Sequence, residues 1–173
     1  MTAPVWGGLF HKFAQAELAS LVGLTQALAR SKIMLVYPAQ LSKVGAGYMV
    51  SFRDIPEALT EGRTKAEAME MAADALATAM DFYFDDRREV PVPSKTKKDE
   101  IPVAIPTSLS AKILLLNEML REGVSPASLA RKLKATPQTV TRIVDLHHST
   151  KIDTIDAALG VMGKKLVLTV ANA

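Results

Sequence analysis

Two apolar rhythms organise the chain. Residues 34–42, MLVYPAQLS, and residues 47–54, GYMVSFRD, are rich in aromatic and aliphatic side chains, and a KVGAG segment with two glycines joins them. In the second run Tyr48, Val50 and Phe52 alternate with Met49, Ser51 and Arg53, the period of a half-buried strand. The pattern predicts a hairpin, with Pro38 placed where no ladder hydrogen bond is needed. DIPEALTEG (54–62) then turns the chain into a helix over 65–86, opened by Thr64 and Glu67 as a reciprocal capping box. There Met69, Ala73, Leu76, Met80 and Tyr83 or Phe84 recur at helical spacing and should face the hairpin. Glu67, Glu70, Asp74, Asp81 and Asp85 form an acidic stripe on the far side, which by periodicity alone is a solvated face. A proline- and lysine-rich connector (87–100) leads to IPVAIP (101–106), read as a third strand returning to the hairpin. Residues 34–106 thus read as a ββαβ layer of sheet and helix.

From residue 107 the rhythm is helical. TSLSAKILLLNEMLREG carries Leu109, Ile113, Leu116 and Leu120 on one stripe, with Gly123 as its stop. SPASLARKL follows, with Ser125 as N-cap and Pro126 at the first helical position; TPQTVTRIVDLHH repeats the design with Thr136 and Pro137. KIDTIDAALGVMG predicts a last short helix with Ile152, Ile155, Leu159 and Met162 on one side, and KKLVLTV (164–170) a terminal strand. Residues 1–33 stand apart as a helical extension, and the new pattern opening at Met34 marks that residue as the expected start of the working protein.

Composition narrows the chemistry. The chain of 173 residues is 49% hydrophobic and 23% charged, enough for packed cores and unlike a disordered sequence. With no cysteine it has no disulfide, thiolate nucleophile or cysteine zinc site. His11, His147 and His148 form no metal-ligand spacing with carboxylates, so neither metal nor cofactor is expected. His147 and His148 close the last helix of the TPQTVTRIVDLHH segment, where histidine favours the helix dipole. The longest uncharged run near the start, LASLVGLTQALA (18–29), is too short to span a bilayer. Charge is uneven: residues 34–90 hold six basic and ten acidic side chains, residues 107–173 nine basic and five acidic. One acidic and one basic half point to two partners of opposite charge.

The paired capped segments meet the demands of a helix-turn-helix. Ala130 is the small residue where the second helix crosses the first; Leu129, Leu133, Val140 and Ile143 pin the two together. Gln138, Thr139, Thr141 and Arg142 remain for base edges: glutamine suits adenine, arginine guanine, and threonine either a hydrogen bond or a thymine methyl. Arg131, Lys132 and Lys134 are placed for phosphates, and the helix start at Thr136 offers free N–H groups. Lys134 stands where glycine is usual, so a positive φ is expected there.

Residues 47–94, with IPTSLSAKILLLNEML (105–120) and TRIVDLHHSTKIDTIDAALGVMGKKLVL (141–168), resemble the HicB family of type II toxin–antitoxin antitoxins, over roughly residues 34–170. The resemblance implies an α+β protein: a partial RNase H-like, HicB-like ββαβ domain at 34–106 without nuclease chemistry, then a helix-turn-helix DNA-binding domain at 107–173. It implies a cytoplasmic, non-enzymatic antitoxin that masks a HicA-type mRNA interferase and represses its own operon as a homodimer or higher oligomer. Tyr48, Phe52, Asp54, Glu67, Glu70 and Asp74 are the candidate toxin contacts. An alternative is a stand-alone helix-turn-helix regulator whose first domain binds another protein or a small ligand. An active nuclease would need carboxylates converging on two metals, whereas Asp54 and Glu57 lie at a turn and the other acids form the outward stripe.

Overall fold

A computed structural model describes residues 34–167. The extension (1–33) and the end of the last expected strand (168–170) lie outside the described residues. The fold is mixed α and β. Strands β1 (Val36–Val44), β2 (Gly47–Phe52), β3 (Leu59–Gly62) and β4 (Ile101–Ala104) make one sheet in the order β3-β2-β1-β4. All pairings are antiparallel. Gly45 turns β1 into β2 with φ +56, a left-handed conformation that suits glycine. The register sets Ala39 opposite Phe52 and Leu41 opposite Val50, so these residues share one face. Helix α1 (Lys65–Asp85) covers that face, burying Ala68, Ala72, Leu76, Ala79, Met80 and Tyr83.

The structure corrects the sequence reading of the sheet–helix module in two places. The module is βββαβ rather than ββαβ, because LTEG inside the expected turn is an edge strand paired with β2. Its pattern hides it: one apolar side chain in four leaves no period-two signal, and backbone pairing alone makes it a strand. The buried face of α1 is also rotated toward its alanines; Met69 and Ala73 sit at the margin. Those alanines bring the layers close. A Cβ on Gly62 would lie 2.4 Å from the Ala68 backbone nitrogen, so only glycine ends β3 there. The capping box forms with one change of partner: the Glu67 N–H donates to Thr64 Oγ1 (3.1 Å), while the Glu67 carboxylate accepts from the N–H of Arg63 (2.9 Å).

The connector from α1 to β4 is fastened along its length. The Asn117 side chain holds both backbone groups of Val90. The Tyr37 hydroxyl donates to the Pro91 carbonyl (2.9 Å), and burial pushes the Tyr37 phenol well above its ordinary pKa. Asp54 accepts from the N–H of Ser94 (2.8 Å), and Arg53 bonds Glu100 (2.7 Å).

Beyond the sheet lie α2 (Thr107–Arg121), α3 (Pro126–Leu133), α4 (Pro137–Val144) and α5 (Ile152–Gly160). Helix α2 is apolar on two sides. Leu109, Ile113, Leu116 and Leu120 join the sheet–helix core. Ala111, Leu115 and Met119 belong to a second core with Leu129, Ala130, Val140, Ile143, Ile155, Ala158 and Leu159. Residues 164–167 are not strand. Lys164 pairs with Glu118 and Glu122, each at 3.2 Å, and Asp156 accepts from the N–H of Leu166.

Candidate nucleic-acid interface and partner surface

Helices α3 and α4 begin alike. Ser125 Oγ accepts from the N–H of Ser128 (3.1 Å) and Thr136 Oγ1 from the N–H of Thr139 (3.2 Å), each followed by proline at the first turn. These caps satisfy donors that a helix start leaves unpaired. Between the helices Lys134 takes φ 53 and ψ 37, the left-handed position. The N–H of Ala135 reaches back to the Ala130 carbonyl (3.0 Å) and that of Lys134 to the Arg131 carbonyl (3.2 Å), a Schellman closure. Gly123 makes the same closure after α2, with Val124 bonded to Met119 (2.8 Å). Leu129, Ala130, Val140 and Ile143 are buried between the two helices and their neighbours.

The outer side of α4 carries the expected polar residues, but they are not equivalent. The Thr139 hydroxyl shares a hydrogen bond with Thr136 (2.9 Å), and that of Thr141 donates to the Pro137 carbonyl (3.1 Å). Gln138 and Arg142, one turn apart, are exposed. Arg131, Lys132 and Lys134 are exposed on the preceding helix and turn.

Helix α4 ends at Val144, sooner than the histidines suggested, so His147 and His148 lie in the loop after it. That loop is tied to α1 and α2. Lys112, 3% exposed, donates from its ammonium to the carbonyls of Asp145 and His148, and burial lowers its pKa against the pull of Asp145. His147 Nε2 lies 3.1 Å from Asp81 Oδ1 on α1. Sequence reasoning missed Lys112, because a lysine within an apolar helix has no local sign of which carbonyls it will meet.

The acidic residues around α1 divide by task. Phe52 is 3% exposed within the sheet–helix core, so its ring supports the surface from beneath instead of forming part of it. Asp54 is engaged with Ser94, and Glu67 caps the helix. Glu57 accepts from the Tyr83 hydroxyl (2.8 Å) and Arg88 (3.3 Å). Burial pushes the Glu57 carboxyl up, but its own backbone hydrogen bond, Tyr83 and Arg88 outweigh this and hold it below its ordinary pKa. Tyr83 is pushed up to about 12 by burial and by Glu57. Tyr48 is half-buried, its ring 5.7 Å from the Lys65 ammonium; Glu70 and Asp74 are exposed. No group of three or more His, Asp or Glu able to hold a metal ion occurs among the described residues, and no described helix is long and apolar enough to cross a membrane.

The HicB-like antitoxin family of bacterial toxin–antitoxin systems matches residues 36–114. The protein Antitoxin HicB 2 of Photorhabdus laumondii is 55% identical over 132 residues, 76% of this chain and 94% of that one. The chain belongs to the HicB antitoxin family. Antitoxin HicB of Escherichia coli K12 is 47% identical over 133 residues, 76% of this chain and 96% of its own length. Antitoxin HicB of Pseudomonas fluorescens, at 34% identity, aligns over 83% of this chain and 99% of its own. A HicB-type antitoxin acts within a toxin–antitoxin system, so a toxin partner comes with the family.

Proposed function

We propose that this HicB-family chain neutralises a HicA-type mRNA interferase and represses its own operon, with α3 and α4 as a helix-turn-helix bound to operator DNA. The observation that carries the DNA reading is the pairing of Gln138 and Arg142 on the exposed side of a helix whose other side, Val140 and Ile143, is buried. Arg131, Lys132 and Lys134 add cations for phosphates. In this reading Gln138 and Arg142 read base edges, and Thr139 and Thr141 stiffen the helix start. The N-terminal module is a partial RNase H-like fold used for binding. Supporting a non-catalytic role, Asp54, Glu57 and Glu100 are each spent on hydrogen bonds that hold the connector or α1. Two-fold operators would be met by a homodimer.

Two measurements test this. Fluorescence anisotropy with a duplex from upstream of the chain's own reading frame should give tighter binding than a scrambled duplex at equal salt; equal affinity for both would sink operator recognition. Co-expression with the toxin from the adjoining reading frame should restore growth, and continued arrest would sink neutralisation.

A further inference from the structure

We propose that the outward face of α1, anchored on Phe82 and Met71 and flanked by Glu70, Asp74 and Asp85, is the surface that docks the toxin, through a cationic and partly apolar face of that protein. The proposal rests on the toxin-neutralising reading and gives it a location. Met71, Ala75, Thr78 and Phe82 recur at spacings of four, three and four, which stacks them along one side of the helix. That side is not the one that meets the sheet, which uses Ala68, Ala72, Leu76, Ala79, Met80 and Tyr83. Phe82 is 55% exposed and Met71 47%, an unusual outlay for residues whose burial would stabilise the fold. Aromatic and methionine side chains are the types enriched at protein interfaces.

Charge decides the occupant. Beside the apolar stripe run Glu70, Asp74 and Asp85, all exposed, while the basic residue of the helix is Lys65 at its first position. Of the two arginines that follow, Arg88 is folded back over the Tyr83 ring (4.4 Å to its centroid) and onto Glu57. A second copy docking about a two-fold axis would bring acidic stripe against acidic stripe. Nucleic acid and anionic membranes would be repelled. A basic protein gains both from Coulomb steering and from burying the aromatic anchor.

The test uses the full-length chain and the toxin from the adjoining reading frame, with Kd measured by calorimetry and association and dissociation rates by surface plasmon resonance at several salt concentrations. Phe82→Ala should weaken binding at least about tenfold, chiefly by faster dissociation. Glu70→Lys with Asp74→Lys should slow association and flatten its salt dependence. Val44→Ala, an exposed apolar residue on the hairpin, should change neither. Melting temperatures of the Phe82 variant and wild type should agree within about 2 °C, as expected for a residue uncovered within the chain. Wild-type binding with unchanged affinity of the Phe82 and Glu70/Asp74 variants overturns this surface and leaves the antitoxin reading standing. Absence of wild-type binding overturns both. A clear fall in melting temperature, or dissociation of a homo-oligomer by Phe82→Ala, shows the face to be covered by the chain itself or by a second copy, and also overturns the proposal.

Discussion

Asn117 on α2 pairs with the backbone of Val90 on both sides: its Oδ1 accepts from the Val90 N–H (2.9 Å) and its Nδ2 donates to the Val90 carbonyl (2.8 Å). Val90 is fully buried, so no water replaces these bonds. One side chain thereby fastens the end of α1 and the start of the connector to a helix that serves both cores. Asn117→Ala leaves two buried backbone groups unpaired, each worth about 1–3 kcal/mol. Urea unfolding should show a loss of about 3 kcal/mol; a loss under about 1 kcal/mol would mean that the pairing is replaced.

Lys134 and Arg87 occupy left-handed backbone, φ 53 and 51, at the ends of α3 and α1. That conformation costs an L-residue other than glycine about 1–2 kcal/mol, partly offset by the greater unfolded entropy of glycine. Arg87→Gly should therefore raise stability by about 1 kcal/mol. Lys134→Gly should do the same while weakening operator and scrambled DNA alike and lowering the salt slope by about 1. Stability unchanged in both variants would show that the positive φ carries no strain.

Glu57 makes the fold acid-sensitive in a defined direction. Its folded pKa lies below the ordinary 4.5, so between those values the unfolded chain binds more protons. The stabilisation is complete above 4.5 and is lost as pH falls through the folded value. Glu57→Gln should lower the urea midpoint at neutral pH, and the gap to wild type should close in acid. A gap that stays constant with pH would assign the loss to packing.

On the proposed DNA-reading helix, Arg142→Ala and Gln138→Ala should each cost about 1–3 kcal/mol of operator affinity and relax specificity at one base position. Thr141→Ala should cost much less, because its hydroxyl is already bonded to the Pro137 carbonyl. Equal losses at all three positions would show that Thr141 reverses its hydroxyl toward DNA.

What the sequence determined by itself was short-range. The hairpin alternation, the start of α1 at Thr64, the paired caps at Ser125 and Thr136, the stop at Gly123 and the left-handed Lys134 each depend on residues within a few positions of one another. Dihedral preferences and local hydrogen bonds act at that range. The exposed positions of Gln138 and Arg142 follow for the same reason, since Val140 and Ile143 mark the buried side of a short helix. Tertiary structure decided the rest. Edge strand β3 exists through backbone pairing to β2, which no side-chain period records. The burial of Phe52 beneath α1, the two-sided use of α2, the Lys112 grip on the loop after α4 and the Asp81–His147 contact all join residues far apart in the chain. The two faces of α1 show the division most clearly. Periodicity places Met71 and Phe82 on one line, but only the packing of the alanine face against the sheet leaves that line exposed.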